Sequence, residues 1–425
     1  MKVLILGSGG REHALAWAIK RNERVSEVVC APGNGGIAQV ARCVAADLRS
    51  VDSMLRVAEA ERPALTIVGP ELALSLGIVD ALRERGLRVF GPTREAARLE
   101  SSKGFAKRFM QRHNIPTGAY AVCSNLAELE KAVEMFDPPI VVKADGLAAG
   151  KGVVVCPSRT IAVEAAHGLF NGTLLGAAEQ QVVIEEFLEG EEISFLCLTD
   201  GKHVAPLAPA QDHKRIGEGD TGPNTGGMGV YSTSEMLDAG MTEWVLHHIV
   251  EPTVRGMAEE ETPFTGVLYC GLMMTARGPE VLEFNARFGD PETQAILMRL
   301  ESGLLEALEA CADGGLAGVT LRWNRGASAC VVASSSGYPG GYRTGFPISG
   351  LSAAARVPGV QVFHSGSALV GGQLITAGGR VLGVTAAAES LNEALARAYE
   401  AMAEIHFDGM YYRRDIGHRA LTRKP

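Results

Sequence analysis

The stretch Val281 to Glu292, VLEFNARFGDPE, carries the residues best suited to chemistry. Val281, Glu283, Asn285 and Arg287 fall at every second position, so on an extended strand their side chains would leave by one face. Glu283 and Asn285 offer hard oxygen donors of the kind Mg²⁺ takes when it bridges to nucleotide phosphates. Arg287 offers a two-pronged donor for a carboxylate or phosphate. Phe284 and Phe288 predict a buried opposite face, against a solvated edge strand. Asp290-Pro291 predicts the start of a helix, where the aspartate either caps the helix or takes a chemical role.

Glycine-rich loops with charged neighbours recur along the chain. Gly7-Ser8-Gly9-Gly10-Arg11-Glu12-His13 follows the apolar strand Met1 to Leu6 and leads into a helix striped by Leu15, Ala16 and Ile19. Strand, glycine turn and helix N-terminus make an anion site from backbone amides. A dinucleotide reading fails on two counts: Glu12 stands where the GxGxxG pattern needs its third glycine, and the second strand, Val28 to Cys30, runs into Pro32-Gly33-Asn34-Gly35-Gly36 where a ribose-binding acid should stand. A phosphorylated small molecule fits better than NAD, with a purely structural glycine turn as the other possibility. Glu71, at the carboxyl end of the strand Leu65 to Val68, is either a ribose contact or a solvated loop residue.

Ile140 to Lys143 is a buried-looking strand ending in a lysine, and ADGLAAGKG at 144–152 leads into the strand Val153 to Cys156. This predicts a flexible flap whose amides and lysines fold over phosphates; no helix and no Ser or Thr follows Lys151, so it is no Walker A loop. Lys103 begins a helix through His113, and Lys143 could instead snorkel to solvent. The strand Val182 to Glu186 exits through Phe187 and Leu188, which suits an adenine ring, with Glu189, Glu191 and Glu192 beyond. Residues 206–229 read as a loop of ~20 residues without secondary structure, which is usually functional or disordered. Asp212, His213, Lys214 and Arg215 adjoin in it, and Thr225-Gly226-Gly227-Met228-Gly229 supplies amides for a close approach to a ligand. His213 reads as a general base or, more simply, as a loop histidine paired to an acid.

The elements that position these residues alternate. Strands at 65–68 and 87–90 with helices near 52–60 and 74–85 give an open α/β first unit. Strands at 266–275 and 279–284, joined by Arg277-Gly278, deliver the opening stretch, and from about 326 short strands with glycine turns and a helix at 390–405 form a small α+β cap ending in Tyr411 to Gly417. The 425 residues suggest about three units at ~150 residues each. We expect an α/β and α+β multidomain chain: 1–101, 102–325 with a flap subdomain at about 120–190, and 326–425. A 46% hydrophobic, 21% charged composition is that of a globular protein, and a net charge of -9 without a long basic run speaks against nucleic acid. No stretch reaches the ~18 apolar residues of a membrane helix, and Val3 to Leu6 is too short for a signal segment, so a cytoplasmic location is expected. The eight cysteines lack a CxxC pair and imply neither zinc nor disulfides.

Taken together, GSGGREH at 7–13, KADGLAAGKG at 143–152, EEFLEGEE at 185–192, AQDHKR at 210–215, GPNTGGMG at 222–229, EFNARFGDPE at 283–292 and RRDIG at 413–417 resemble the phosphoribosylamine-glycine ligase family of the ATP-grasp superfamily, in order and over nearly the whole length. The resemblance implies an N-terminal domain for the phosphoribosylamine, two ATP-grasp subdomains clamping ATP, and a closing C-terminal domain. It implies ATP-dependent joining of glycine to 5-phospho-β-D-ribosylamine through a glycyl phosphate, the second step of purine biosynthesis. By that similarity Lys103, Lys143 and the flap, with Gly146, Gly150, Lys151 and Gly152, hold ATP phosphates; Glu185 and Phe187 frame the adenine and Glu192 takes the ribose; Glu283 and Asn285 bind Mg²⁺, with Mn²⁺ as a substitute. Arg287 and Asp212 seat the glycine carboxylate and ammonium, near Lys214, Thr225, Gly226 and Gly227. Gly7, Gly9, Gly10, Arg11, Glu12, Asn34 and Glu71 receive the ribosylamine end. Gly266 to Thr275 has no carboxylate, which leaves a second Mg²⁺ site open. The expected partners are small molecules alone, and the expected state is a monomer or weak dimer. Two other readings stand beside it: another ATP-grasp carboxylate-amine ligase using a phosphoribosyl substrate, and a nucleotide-sensing module without turnover.

Overall fold

The first strand, Lys2–Gly7, is the centre of a five-stranded sheet in which every pairing is parallel, with Glu27–Pro32 and Arg42–Cys43 on one side and Leu65–Val68 and Val89–Phe90 on the other. Its residues Val3 to Leu6 have no exposure, because helices cover both faces. Leu15 and Ile19 of the helix Gly10–Lys20 pack with Val3 and Ile5, while Met54 and Ala58 of the helix Val51–Glu61 pack with Leu4 and Leu6. The helix expected over 74–85 is two pieces, Glu71–Ser75 and Ile78–Glu84, parted by Gly77 at φ 88°. The structure is a computed structural model and describes residues 1–148, 152–176 and 178–422.

Two antiparallel four-stranded sheets form the middle of the molecule. One has the order Tyr120–Cys123, Val182–Glu186, Ile140–Ala144, Val153–Cys156, backed by the helices Leu126–Val133 and Arg159–Phe170. The other runs Val204–Pro206, Glu191–Asp200, Thr265–Thr275, Gly278–Asn285. Its last pairing is irregular: Gly271 faces Glu283, but Leu272 faces Val281, so Leu282 is an extra residue. Val281 therefore does not share a face with Glu283, Asn285 and Arg287, as simple alternation predicted. It joins Leu272 and Phe284 in the core, and the bulge re-aims the next three polar residues at the cleft.

The sheet of the C-terminal region has six strands, and two of them come from earlier in the chain: Gln211–Asp212 pairs with Gly229–Thr233, which pairs onto Ala327–Ser335, and that strand pairs in turn with Arg380–Ala388, beside Val360–His364, and with Met410–Tyr411. The 206–229 segment is thus not the structureless loop expected. Its remainder forms a hairpin, Arg215–Gly217 with Thr221–Asn224. The RRDIG segment anchors that hairpin: fully buried Arg413 donates to Asp415 at 2.7 and 2.8 Å, to Asp220 at 3.0 Å and to the Arg215 carbonyl at 3.0 Å. All eight cysteines are free and all but Cys43 are buried. Among the described residues no helix is long and apolar enough to cross a membrane.

Three buried histidines hold these regions together without charge. His13 Nδ1 accepts from the His364 amide at 2.8 Å, joining the first helix to the C-terminal sheet. His213, expected on an accessible loop, has no exposure; its Nδ1–H donates to the Gly229 carbonyl at 3.2 Å and its Nε2 accepts from the Gly417 amide at 3.1 Å. It is neither a base facing a substrate nor an acid's partner. Burial pushes His13 and His213 from 6.5 down to about 3 and His364 to about 4. Each is neutral when folded and takes a proton when unfolded, so between these values and 6.5 the unfolded chain binds more protons and stability is lost as pH is lowered. The urea midpoint should drop progressively from about pH 7 to about pH 5; a flat profile there would contradict the neutral assignment.

Candidate active site

A cleft of about 830 Å³ opens between the two middle sheets and reaches the first and last regions of the chain. Its inner wall holds an ion cluster. Lys143 Nζ lies 2.9 Å from the Glu185 carboxylate and 3.1 Å from the Leu282 carbonyl. Lys107, one helical turn beyond Lys103, places its Nζ 2.7 Å from the same carboxylate and 2.7 Å from Thr117 Oγ1. Burial alone would lift the Glu185 carboxyl, but the two lysines hold it below its ordinary value. Lys103 Nζ sits 3.3 Å from the Gly146 carbonyl at the root of the flap. Phe187 is 39% exposed, so its ring is available to a ligand at the cleft mouth.

The opposite wall carries the 283–287 residues. Burial works against ionisation of Glu283, yet Lys214, Lys103, Lys143 and Arg287 together hold its carboxyl at about 2, so it is an anion at neutral pH. Lys214 Nζ is paired with Glu192 and lies 3.7 Å from Glu283. Asn285 Oδ1 accepts from Arg287 at 3.1 Å, and the same guanidinium pairs with Glu100 at 2.9 Å and Glu71 at 3.4 Å. Arg287 Nε is buried without a hydrogen bond. Asp212 is 9% exposed and lines the cleft; burial and then the neighbouring Glu292 carboxylate push its carboxyl well above its usual range. Gly227, at φ 111°, passes so close that a Cβ there would stand 2.4 Å from Pro291 Cδ and 2.8 Å from Asp212 Oδ1.

Two oxygen donors, Glu283 and Asn285, fit Mg²⁺ that takes its remaining ligands from phosphates and water. Among the described residues no group of three or more His, Cys, Asp or Glu could hold a metal unaided.

The chain matches three family profiles in succession: the phosphoribosylglycinamide synthetase N domain over residues 1–100, its ATP-grasp (A) domain over 101–293 and its C domain over 328–419. It is 50% identical over 429 residues to the phosphoribosylamine-glycine ligase of Xanthomonas axonopodis pv. citri, covering 100% of this chain and 99% of the relative. The chain belongs to the phosphoribosylglycinamide synthetase family. The Pseudomonas aeruginosa ligase is 50% identical over 430 residues, with 100% of this chain and 99% of that one covered. The crystal structure of the Thermotoga maritima ligase superposes with a TM-score of 0.85 at 35% identity, covering 98% of this chain and 100% of that one. The biotin carboxylase domain of Hydrogenobacter thermophilus 2-oxoglutarate carboxylase, solved with MgADP, shares the fold at a TM-score of 0.74 and 17% identity, over 97% of this chain and 91% of that one.

The synthetase cleft gathers Arg11, Glu71, Lys103, Lys143, Gly152, Glu185, Phe187, Glu192, Asp212, Lys214, Thr225, Gly226, Glu283, Asn285 and Arg287 along one surface. Gly150 and Lys151 lie outside the described residues. Several expected roles do not match the geometry. Glu12 is an internal cap: it accepts from the Gly9 amide at 2.6 Å and from Arg11 Nε at 2.5 Å, and its side chain fills the space over Gly7 and Gly69. Asn34 is saturated, donating to the Ser8 and His364 carbonyls and accepting from the Gly36 and Ile37 amides. The amides of 225–228 are likewise taken, by Lys214 O, Tyr338 Oη, Thr225 Oγ1 and His213 O, so they do not point at a ligand. Asp290 does not cap the helix Glu292–Arg299; it accepts from the Arg11 amide at 3.1 Å and from Gln294 at 3.0 Å, and pairs with Arg380. It therefore occupies the N-terminus of the first helix, where a substrate phosphate was expected.

Sequence reading missed Lys107, Glu100, Tyr269, Glu292 and Arg380. Lys107 was discoverable from its four-residue spacing to Lys103; Arg380 gave no local signal. Because Glu185 neutralises two buried lysines, Glu185→Gln should cost about 3 kcal/mol of stability in denaturant unfolding. Adding Lys107→Met should restore part of the loss, since one lysine then remains; equal stability of all three proteins would contradict the triad.

Proposed function

We propose that this cleft carries out the family reaction with the following residues in these roles. The enzyme is a carbon-nitrogen ligase that joins glycine to 5-phospho-β-D-ribosylamine, turning ATP into ADP and phosphate in the second step of purine biosynthesis. The observation that carries the assignment of roles is the juxtaposition on one cleft wall of an ionised Glu283 with the Arg287 guanidinium, whose buried Nε–H faces Glu71 at 3.4 Å without completing a hydrogen bond. A buried guanidinium N–H so weakly engaged is a ready partner for an incoming carboxylate.

ATP would lie with its base against Phe187 and its phosphates between Lys103 and Lys143, under the flap. Both lysines already face the cleft, and Lys143 is held there by Glu185. Glu283 and Asn285 would hold Mg²⁺, and Mn²⁺ suits the same oxygen donors. When bound, the cation neutralises charge on the β- and γ-phosphates. Arg287 would orient the glycine carboxylate and Asp212 its ammonium group. A carboxylate oxygen of glycine attacks the γ-phosphorus and the β–γ bridging bond breaks, leaving ADP and glycyl phosphate. The ribosylamine nitrogen then attacks the carbonyl carbon, loses a proton, and phosphate departs.

The protein's contribution is positional and electrostatic: it aligns three reactants and keeps water from the acyl phosphate. For the ribosylamine end, Arg11 and Glu71 are the side chains that line the cleft, since Glu12 and Asn34 are committed elsewhere. Substituting Glu283→Ala should abolish glycine-dependent ADP release when ribosylamine is generated in situ. Near-normal turnover of that variant at limiting Mg²⁺ would overturn the metal assignment.

A further inference from the structure

Asp145 follows the strand Ile140–Ala144, two residues past Lys143, and has no part in the roles assigned above; it does not itself line the cleft. Its contacts are with the start of the helix Lys103–Arg112. The first amides of a helix have no partner within it, and the ordinary solution is one side chain at the N-cap. This helix already has that cap, because Ser102 Oγ accepts from the Phe105 amide at 3.1 Å. Asp145 is a second one from a distant part of the chain. Its Oδ1 accepts from the Gly104 amide at 2.6 Å, its two carboxylate oxygens lie 3.1 and 3.2 Å from the Ser102 hydroxyl that donates to them, and its backbone carbonyl accepts from the Lys103 amide at 3.1 Å. Lys103 Nζ donates in turn to the Gly146 carbonyl at 3.3 Å, so both the backbone and the side chain of Lys103 are held by Asp145-Gly146. Gly104 leaves room for this: a Cβ there would lie 3.2 Å from Asp145 Oδ1.

The tie joins two separate cores. Phe109 and Met110 of the helix pack with Val281 and Phe284, whereas Ile140, Val142 and Ala144 pack with the helices Leu126–Val133 and Arg159–Phe170. Lys143 is fixed from its other side by Glu185 and the Leu282 carbonyl. With Lys143 so anchored, a carboxylate two residues further on can fix Lys103 relative to it, which the local cap Ser102 cannot do. We propose that Asp145 is a positioning residue that sets the spacing of Lys103 and Lys143, and so how well both ammonium groups engage the phosphates of one ATP. This rests on the nucleotide reading above and deepens it. Spacing is worth fixing, because a misplacement of about 1 Å can cost about 100-fold in rate.

The test reads the ATP KM against the glycine KM in ADP release, with ribosylamine generated in situ. Asp145→Ala should raise the ATP KM about 10-fold, the loss expected for one charge-assisted hydrogen bond, and leave the glycine KM unchanged. Asp145→Asn keeps an oxygen for the Gly104 amide and should recover most of that loss. Asp145→Glu keeps the charge but lengthens the tie by one methylene; it should raise the ATP KM by a smaller factor, and it decides the matter if the alanine variant does not fold. Ser158→Ala removes the N-cap of Arg159–Phe170, on the same core as Lys143, and should lower the urea midpoint without moving the ATP KM. An unchanged ATP KM in an active Asp145→Ala enzyme would overturn the inference, as would ATP and glycine KM values that rise together or a like rise in Ser158→Ala. An Asp145→Asn enzyme as poor as Asp145→Ala would also overturn it, since charge and not the tie would then be the cause. An ATP KM that Lys103→Ala leaves unchanged would instead defeat the nucleotide reading itself, and this inference with it.

Discussion

Opposite charges packed along one cleft are the constraint on which the rest of this structure depends. Lys107 and Lys143 are buried and Lys214 and Arg287 half-buried, and each is matched by carboxylates from elsewhere in the chain: Glu185 for the first two, Glu192 and Glu283 for Lys214, Glu100 and Glu71 for Arg287. Uncompensated, any one of them would be too costly to bury. In the roles proposed above, these pairs would exchange partners with a triphosphate and an amino-acid zwitterion, whose charges are of the same kinds. The cleft is thereby pre-organised by its own residues.

Such matching needs elements from every region. Glu100 reaches Arg287 and the Ala286 amide from the end of the first region. Arg380 reaches back from the C-terminal sheet to Asp290 and to the carbonyls of Gly226 and Asp290. The strand Gly229–Thr233 pairs directly onto Ala327–Ser335, so the loop carrying Asp212 to Gly227 is built on the C-terminal sheet as much as on the middle one. Sheet pairing and buried neutral histidines fix these contacts.

Much of this was legible in the sequence because the strong signals were local. The first open α/β sheet followed from apolar runs alternating with helical stripes, and the strand pair Ile140–Ala144 with Val153–Cys156 from the apolar runs on either side of the glycine stretch. The placement of Glu283, Asn285 and Arg287 together was also readable, though alternation alone misplaced Val281, because a bulge depends on the partner strand. What could not be read was the saturation of groups that look available. Glu12, Asn34 and the 225–228 amides are types that bind ligands, and their hydrogen bonds, local for Glu12 and mixed local and distant for Asn34 and the amides, show that they are spent on the fold itself. His213 misled for the same reason: its strand partners and the Gly417 amide lie 16 and 204 residues away.

The most direct measurement is a crystal structure of the enzyme with a non-hydrolysable ATP analogue, Mg²⁺ and glycine. The account predicts the terminal phosphates within hydrogen-bond reach of Lys103 and Lys143, a cation on Glu283 and Asn285, and the amino-acid carboxylate on Arg287. Phosphates bound away from those lysines, or an amino acid that leaves Arg287 paired only to Glu100 and Glu71, would contradict it.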